Sequence, residues 1–509
     1  MISQHTIFVT QPKRLDFQAS MYCEDYVFWK DDGKTWDPRV GEDQLWGYNC
    51  TDCVRTREVG EVELEIVTAL GLESPHTFQQ RLFWPVLHAM CRGVRVDEKK
   101  KNQLSLEIQE EISNRDKFFF DVLGHSLNPR SSKQMCQLFY EDLAQPPIMT
   151  RGKKGKPGHV TCDDEALRRI GAREPILLPI VNAISDVRTL GVFNSTFLQA
   201  KLGDDGRMRT SFNICGTKTF RFSSSEDAFG SGANLENIPS DKSKTMGKAK
   251  ARGMQFQLPN IRSLYIPDRD MTFFDMDLDR ADLHAVVWEC NDELLKASLT
   301  QGADIHLLNV YAIDGKEPPP LEELVETHPK YMDHRGPKKH EREFAKVFCH
   351  ATNYGGRPPT VAAATGRSVH EIDRAQKVWF SAHPKILAWQ KDVVAKARSQ
   401  RYIENPFGYR WYIFDRVDSI VGELLAWGPQ STVACTINRI WVNLWDEMRD
   451  RVEVLLQVHD SLAGQFQTDS KKTVLTDMLE CAKIVIPYEE PLIIPVGIRT
   501  SEISWGDCR

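Results

Sequence analysis

At 509 residues the chain is long enough to bury several cores and to form a few domains rather than one. With 41% hydrophobic and 27% charged residues it reads as a soluble multidomain protein, and its 12 scattered cysteines exclude a disulfide framework and point to a reduced, cytoplasmic setting. A net charge of −6 excludes a uniformly basic nucleic-acid binder but not one that holds a duplex by local patches.

No early apolar stretch follows a basic start, and no run is read as reaching the roughly 18 apolar residues of a membrane span, so no membrane partner is expected. Cys50 and Cys53 form a lone C-x-x-C without a second pair or a nearby His cluster, and read as incidental. Residues 97–123 predict a long helix with Leu104, Ile108, Ile112, Phe119 and Leu123 on one side, and 176–200 a second through Ile180, Ile184, Val187 and Leu190. Arg151, Lys153, Lys154 and Lys156 make one basic patch; Lys242, Lys244, Lys248, Lys250 and Arg252 make another in a loop. Either patch suits phosphate contacts, and a solvated loop suits the second equally well. Residues 206–239 mix Thr, Phe and Ser with turn residues and suit the start of a mixed helix-and-strand domain. There is no internal repeat.

The segment TFFDMDLDRADLH follows. Asp275, Asp277 and Asp279 alternate, so a strand would point all three to one side, and spacing alone leaves the choice among them open. After loops at 316–320 and 335–339, Arg342, Lys346, His350 and Tyr354 recur every four residues. Each step rotates by roughly 40°, so they form one winding stripe over three turns, which Gly355, Gly356, Pro358 and Pro359 then end. Arg brings a planar fork and Lys a point charge, both suited to phosphate. Val454, Leu455, Leu456 and Val458 read as a buried strand, Leu462 and Phe466 as its return, and His459-Asp460-Ser461 as the turn. Acids delivered by two strands beside a phosphate-gripping helix suit two-metal nucleotidyl transfer, in which ions about 3.5–4 Å apart stabilise the attacking and leaving oxygens. Mg²⁺ fits because it takes carboxylate, phosphate and water ligands.

Four segments in order, TKTFRFSSSEDAFGSGANLENIP (217–239), DLDRADLH, R-x-x-x-K-x-x-x-H-x-x-x-Y-G and QVHDS, resemble the motif set of the family A DNA polymerases. LFWPVLHAMCRGVRVD (82–97), LNPRSSKQMCQLFYEDL (127–143) and Trp505 extend the resemblance over nearly the whole chain. It implies an α+β multidomain, right-hand polymerase fold preceded by a remnant of an RNase H-like 3′-5′ exonuclease domain. The expected divisions are 1–60 exonuclease remnant, 61–205 thumb, 206–309 first part of the palm, 310–414 fingers and 415–509 second part of the palm.

The resemblance also implies site residues. Asp277 and Asp460, with the Leu278 backbone carbonyl, would hold two Mg²⁺ ions, with Mn²⁺ as a substitute. Lys346 would neutralise the triphosphate and protonate the leaving pyrophosphate, with Arg342 and His306 on the outer phosphates, Tyr354 by the nascent pair, and Asp282 and His350 by the sugar. Arg221, Asn234, Asn237, Gln430 and His459 would touch primer-template DNA, and dNTPs would be the substrates. Four positions depart from the family pattern: Asp282 replaces a glutamate, His350 a Phe or Tyr, Ser461 a third acid and Phe220 a glycine. Tyr48 and Asp52 match the family's Y-x-x-x-D exonuclease motif, but no D-x-E precedes them, so little or no proofreading is expected from this chain alone. A separate exonuclease-bearing chain or a processivity factor is a candidate partner. A virus-type enzyme acting in the cytoplasm of a bacterial or infected cell is the expected setting. The competing readings are a single-subunit RNA polymerase and a catalytically silent primer-template binding protein.

Overall fold

The computed structural model describes residues 1–37, 39, 41–150, 157–227, 230–239 and 256–508. Both basic patches, at 151–156 and 242–252, lie outside the described residues. Among the described residues the first sixty are helical only, with no strand of the expected exonuclease remnant. Helix α1 (Asp43–Ala69) runs through the expected boundary at residue 60 without a break.

Helix α2 (Glu98–Leu123) matches the prediction for 97–123. Asp97 caps it by accepting the Lys100 N–H at 3.0 Å, and Gly124, at φ 76, ends it. The second predicted helix is α3 (Leu178–Phe193), entered by a 3-10 turn at Pro175–Leu177 and left by a π turn at Asn194–Leu198. Ile108 and Phe119 of α2 and Ile184 and Leu190 of α3 are fully buried. The run Pro175–Leu198, with mean hydropathy 1.5, passes for a membrane span by length and composition, but a buried core helix passes the same test and polar residues interrupt its apolar run. Its apolarity has a packing cause: α3 lies against α2 and the helix Asp164–Arg173, so more than one of its faces is buried.

Four more helices, α4 (Ala281–Cys290), α5 (Ile305–Ile313), α6 (Lys339–Asn353) and α7 (Pro384–Gln400), share a core in which Val287, Leu295, Phe348 and Ile386 are fully buried. The 28-residue helix α8 (Val421–Met448) packs on α4 and α7 and also reaches the sheet that carries the acids.

That sheet has four antiparallel strands, β1 (Met271–Leu278), β2 (Val452–Val458), β3 (Ser461–Gln467) and β4 (Val496–Ser501), in the order β4-β1-β3-β2. Alternation buries Phe274, Met276 and Leu278 on one face, where the Phe274 ring lies parallel to Phe466 at 6.3 Å. The opposite face takes Asp275 and Asp277. Gly464 lets neighbouring chains close in, since a Cβ there would stand 2.1 Å from the Glu453 carbonyl.

The segment after residue 217 is clamped to α8. Trp427 Nε1 donates to the Lys218 carbonyl at 2.7 Å, Lys218 pairs with Glu423, and Asn438 Nδ2 donates to the Phe220 carbonyl at 3.4 Å. Phe220 keeps the left-handed backbone that glycine favours, at φ 61, while its fully buried ring packs 4.4 Å from Tyr409 and 4.9 Å from His5. Phe220→Gly is expected to lower unfolding free energy by about 2–3 kcal/mol in a urea titration, lost ring contacts outweighing about 1–2 kcal/mol of relieved strain. An increase in stability would contradict this.

Candidate active site

Asp277, next to last in β1, pairs across the ladder with Ser461 on one side and Gly497 on the other. Asp460 precedes Ser461 in the turn between β2 and β3, so strand and hairpin tip bring the two acids side by side. The Leu278 N–H donates to the Asp460 carbonyl at 3.3 Å, fixing the turn against β1, and His459 takes the left-handed φ of 58 that a two-residue loop needs. Burial pushes the Asp277 carboxyl up to about 7, with the Asp460 and Asp275 charges adding to the rise and Arg499 opposing it. Two adjoining carboxylates whose charges repel make a site for cations. No group of three or more His, Cys, Asp or Glu side chains forms a metal cage among the described residues, so phosphate and water oxygens would complete the shell of a hard divalent ion.

The other two alternating acids are committed elsewhere. Asp275 is 5% exposed; its Oδ2 accepts the Trp505 Nε1–H at 3.2 Å and lies 3.7 Å from Arg262 and 3.6 Å from Arg499. Asp279 pairs with its neighbour Arg280 at 2.9 Å on the surface.

Helix α6 presents the predicted stripe, while Ala345, Phe348, Cys349 and Thr352 bury its other side. Lys346 and His350 are exposed, and Arg342 and Tyr354 half-buried. Both ends of the stripe are tied to the chain after Asp277. At one end the Tyr354 hydroxyl donates to Asp282 Oδ1 at 2.5 Å and His350 Nδ1 lies 3.0 Å from Asp282 Oδ2, so two of the departures from the family pattern bond to each other. At the other, Arg342 Nε donates to Asp304, which also accepts the Tyr331 hydroxyl at 2.9 Å and the His306 and Leu307 N–H groups at 3.1 Å. Arg280 reaches the neighbouring Ala303 carbonyl at 2.8 Å. Asp304 is a site residue that sequence reasoning missed; its signal was an Asp one residue ahead of an apolar helix. Burial, then the Arg342 and Lys346 charges, pull His306 down to about 4 against the opposing pull of Asp304, so its ring is neutral near pH 7.

The sequence matches the profile of DNA polymerase family A over residues 98–501. The chain belongs to that family. It is similar to the thermostable DNA polymerase I of Thermus filiformis, 27% identical over 423 residues, covering 81% of this chain and 46% of that protein. It is also similar to the thermostable DNA polymerase I of Thermus aquaticus, 27% identical over 430 residues, 82% and 46% covered. The chain thus spans about half the length of the curated relatives it matches. Among solved structures, the POL domain of Pol1 from M. smegmatis, in complex with DNA primer-template and dNTP, superposes with a TM-score of 0.76 at 20% identity, covering 100% of this chain and 82% of that one. At that identity it speaks for the polymerase fold alone.

The residues that the family A pattern assigns to primer and template sit on elements bordering the sheet. The turn Leu235–Asn237 packs on β2, with Asn234 held through Ser224 Oγ at 2.6 Å and Asn237 exposed. Arg221 follows Phe220 in the segment clamped to α8, half-buried like Gln430 on α8 itself, and His459 is exposed at the hairpin tip. Tyr48 and Asp52 lie apart from these, one turn from each other on α1. Asp52 Oδ1 accepts from Trp29 Nε1 and from Lys30 Nζ, both at 2.6 Å, and Lys30 Nζ reaches the Tyr48 hydroxyl at 3.2 Å. This acid is already neutralised by a lysine.

Proposed function

We propose that this chain is a template-directed, primer-dependent DNA polymerase that joins deoxynucleotides from dNTPs to a primer 3′-hydroxyl. The observation that carries it is the adjacency of Asp277 and Asp460, with the stripe on α6 tied at both ends to the chain that follows Asp277. The primer-template and dNTP in the M. smegmatis structure support the same reading. Asp277, Asp460 and the Leu278 carbonyl would hold two Mg²⁺ ions, or Mn²⁺ in their place. Bound there, the ions supply charge stabilisation to the attacking and leaving oxygens.

The protein's own groups do the rest. Lys346, exposed on the stripe, neutralises the triphosphate and gives a proton to the departing pyrophosphate. Arg342 offers its remaining N–H groups to the outer phosphates while Asp304 fixes its plane, and neutral His306 adds a hydrogen bond without charge. Tyr354 stands by the nascent pair, with Asp282 and His350 beside the sugar. Arg221, Asn234, Asn237, Gln430 and His459 contact primer and template through phosphates and minor-groove acceptors, which test pair shape more than sequence. In this reading 61–205 is the thumb, 206–309 and 415–509 the palm, and 310–414 the fingers. Residues 1–60 carry Tyr48 and Asp52, the pair that matches the exonuclease motif, with Asp52 held by Lys30. A separate exonuclease chain or a processivity factor and a cytoplasmic site of action complete the proposal.

Primer extension on a defined template, with dNTPs and with NTPs, tests it. Template-dictated extension by dNTPs is the expected result. Promoter-dependent use of NTPs would favour the RNA polymerase reading, and primer-template binding without addition the silent one.

Two variants probe the substrate contacts. Asp304→Asn is expected to raise the dNTP KM about tenfold, roughly 1.4 kcal/mol, with kcat changed much less, in steady-state kinetics. Asp282→Ala removes the carboxylate that Tyr354 and His350 share, and is expected to raise ribonucleotide relative to deoxynucleotide incorporation about tenfold or more in single-nucleotide assays.

A further inference from the structure

Helices α4, α7 and α8 and the hairpin of Tyr402–Glu404 and Arg410–Tyr412 border an open cavity of about 800 Å³. None of the residues assigned above to metal, nucleotide or primer-template lines it. On its lining Trp288 Nε1 finds no hydrogen-bond partner among the described residues, while Glu289 Oε1 and the Tyr488 hydroxyl face each other outside ideal hydrogen-bond geometry. Buried polar groups left unmatched or poorly matched are rare in folded proteins, and their gathering on one cavity points to a ligand. The fold also makes room for the Glu289 carboxyl. A Cβ on Gly428 would stand 2.7 and 2.8 Å from its two oxygens, and the other oxygen, Oε2, accepts the Trp389 Nε1–H at 3.2 Å.

The charges facing the cavity are unbalanced. Asp392 pairs with Lys396 at 2.8 Å, Glu490 with Lys296 at 2.6 Å, and Glu404 with Arg410. Glu289 and Glu489 make no ion pair among the described residues. Five acids line the cavity against Lys296 and Lys396, and this surplus of acid favours a cation and disfavours any phosphate-bearing ligand. Lys296 already stands 5.2 Å over the Trp288 ring and Arg410 5.2 Å over Tyr402, so the lining's rings hold cations, and Trp389 supplies further aromatic surface for a planar one. A carboxylate at the floor matches a planar fork of N–H donors.

We propose that this cavity binds a small organic cation with a flat guanidinium or amidinium head, gripped by the Glu289 carboxylate among the aromatic rings. The Trp288 indole N–H meets an acceptor on the ligand's body, and the Tyr488 hydroxyl stays beside the Glu289 carboxyl. Without a ligand, burial pushes the Glu289 carboxyl up to about 8; the Trp389 N–H, the Tyr488 hydroxyl and Lys396 oppose the rise, and Asp282 adds to it. A bound cation needs the ionised form, so binding releases a proton and affinity rises with pH up to about 8. Lys296, Asp392, Glu404, Glu489 and Glu490 also face the cavity and set its background charge.

Calorimetric titration of the full chain with benzamidine tests this, with agmatine as a second probe and benzamide as the uncharged isostere. The expected result is saturable benzamidine binding at one site, at least tenfold weaker for benzamide and for Glu289→Gln, unchanged in Asp277→Asn, and stronger at about pH 8 than at about pH 6. Equal affinity for benzamide, full affinity in Glu289→Gln, or no saturable binding of either cation at millimolar concentration would overturn the proposal. The benzamide comparison uses the wild type, so the test remains decisive even if the variant misfolds. Because none of these readings depends on nucleotide addition, failure here is distinct from failure of the polymerase reading.

Discussion

Asp277→Ala and Asp460→Ala are each expected to abolish primer extension, by about a thousandfold or more, in a protein that stays folded. The two acids share one end of the sheet, and no other acid takes their place: Asp279 pairs with Arg280, and Asp275 with Arg262, Arg499 and Trp505. Stability should move the opposite way from activity. In the folded chain the Asp277 carboxyl is raised to about 7, well above its ordinary value near 4, so its ionised form opposes folding. That penalty is fully present above about pH 7 and fades as pH falls toward 4. Asp277→Ala should therefore raise the denaturation midpoint at about pH 8 and leave it nearly unchanged at about pH 4. Parallel loss of folding and extension would mean that Asp277 is a structural residue.

The second large effect is the mirror image. Asp275→Ala is expected to lower unfolding free energy by about 3 kcal/mol while extension per folded molecule changes only a few-fold. Removing this buried carboxylate strands the Trp505 N–H and takes a counter-charge from Arg262, stacked 4.2 Å from the Trp505 ring. Arg499 is half exposed and can turn to water, which limits the loss. Chemical denaturation alongside extension normalised to folded protein reads both quantities. An extension loss as deep as that of Asp277→Ala would place Asp275 in the reaction instead.

Alternation put Asp275, Asp277 and Asp279 on one face; the ladder carries the first two, and Asp279 lies past it in a turn. What alternation omits is who stands opposite. Asp277 meets the hairpin tip because its partner Ser461 in β3 comes 184 residues further along, while Asp275 meets Trp505, 230 residues away in sequence. The α6 stripe and its glycine stop were legible because helix period and breakers are local signals. The Asp282–His350 contact and the Asp304–Arg342 pair were not, since each joins elements whose packing no single segment encodes. Phe220 is a doubtful replacement for glycine by sequence alone, yet its ring fills a pocket against Tyr409 and His5, 189 and 215 residues away in sequence. Pro175–Leu198 shows the limit of hydropathy: a helix buried on several sides and a membrane helix score alike.

The most direct test of the account is single-turnover extension of a primer on a defined template by the purified chain with Mg²⁺ and dNTPs, reading product length and released pyrophosphate together. The account predicts one pyrophosphate per templated nucleotide added, with both signals absent from Asp277→Ala and from Asp460→Ala. Stable primer-template binding with neither extension nor pyrophosphate release by the wild type would contradict it.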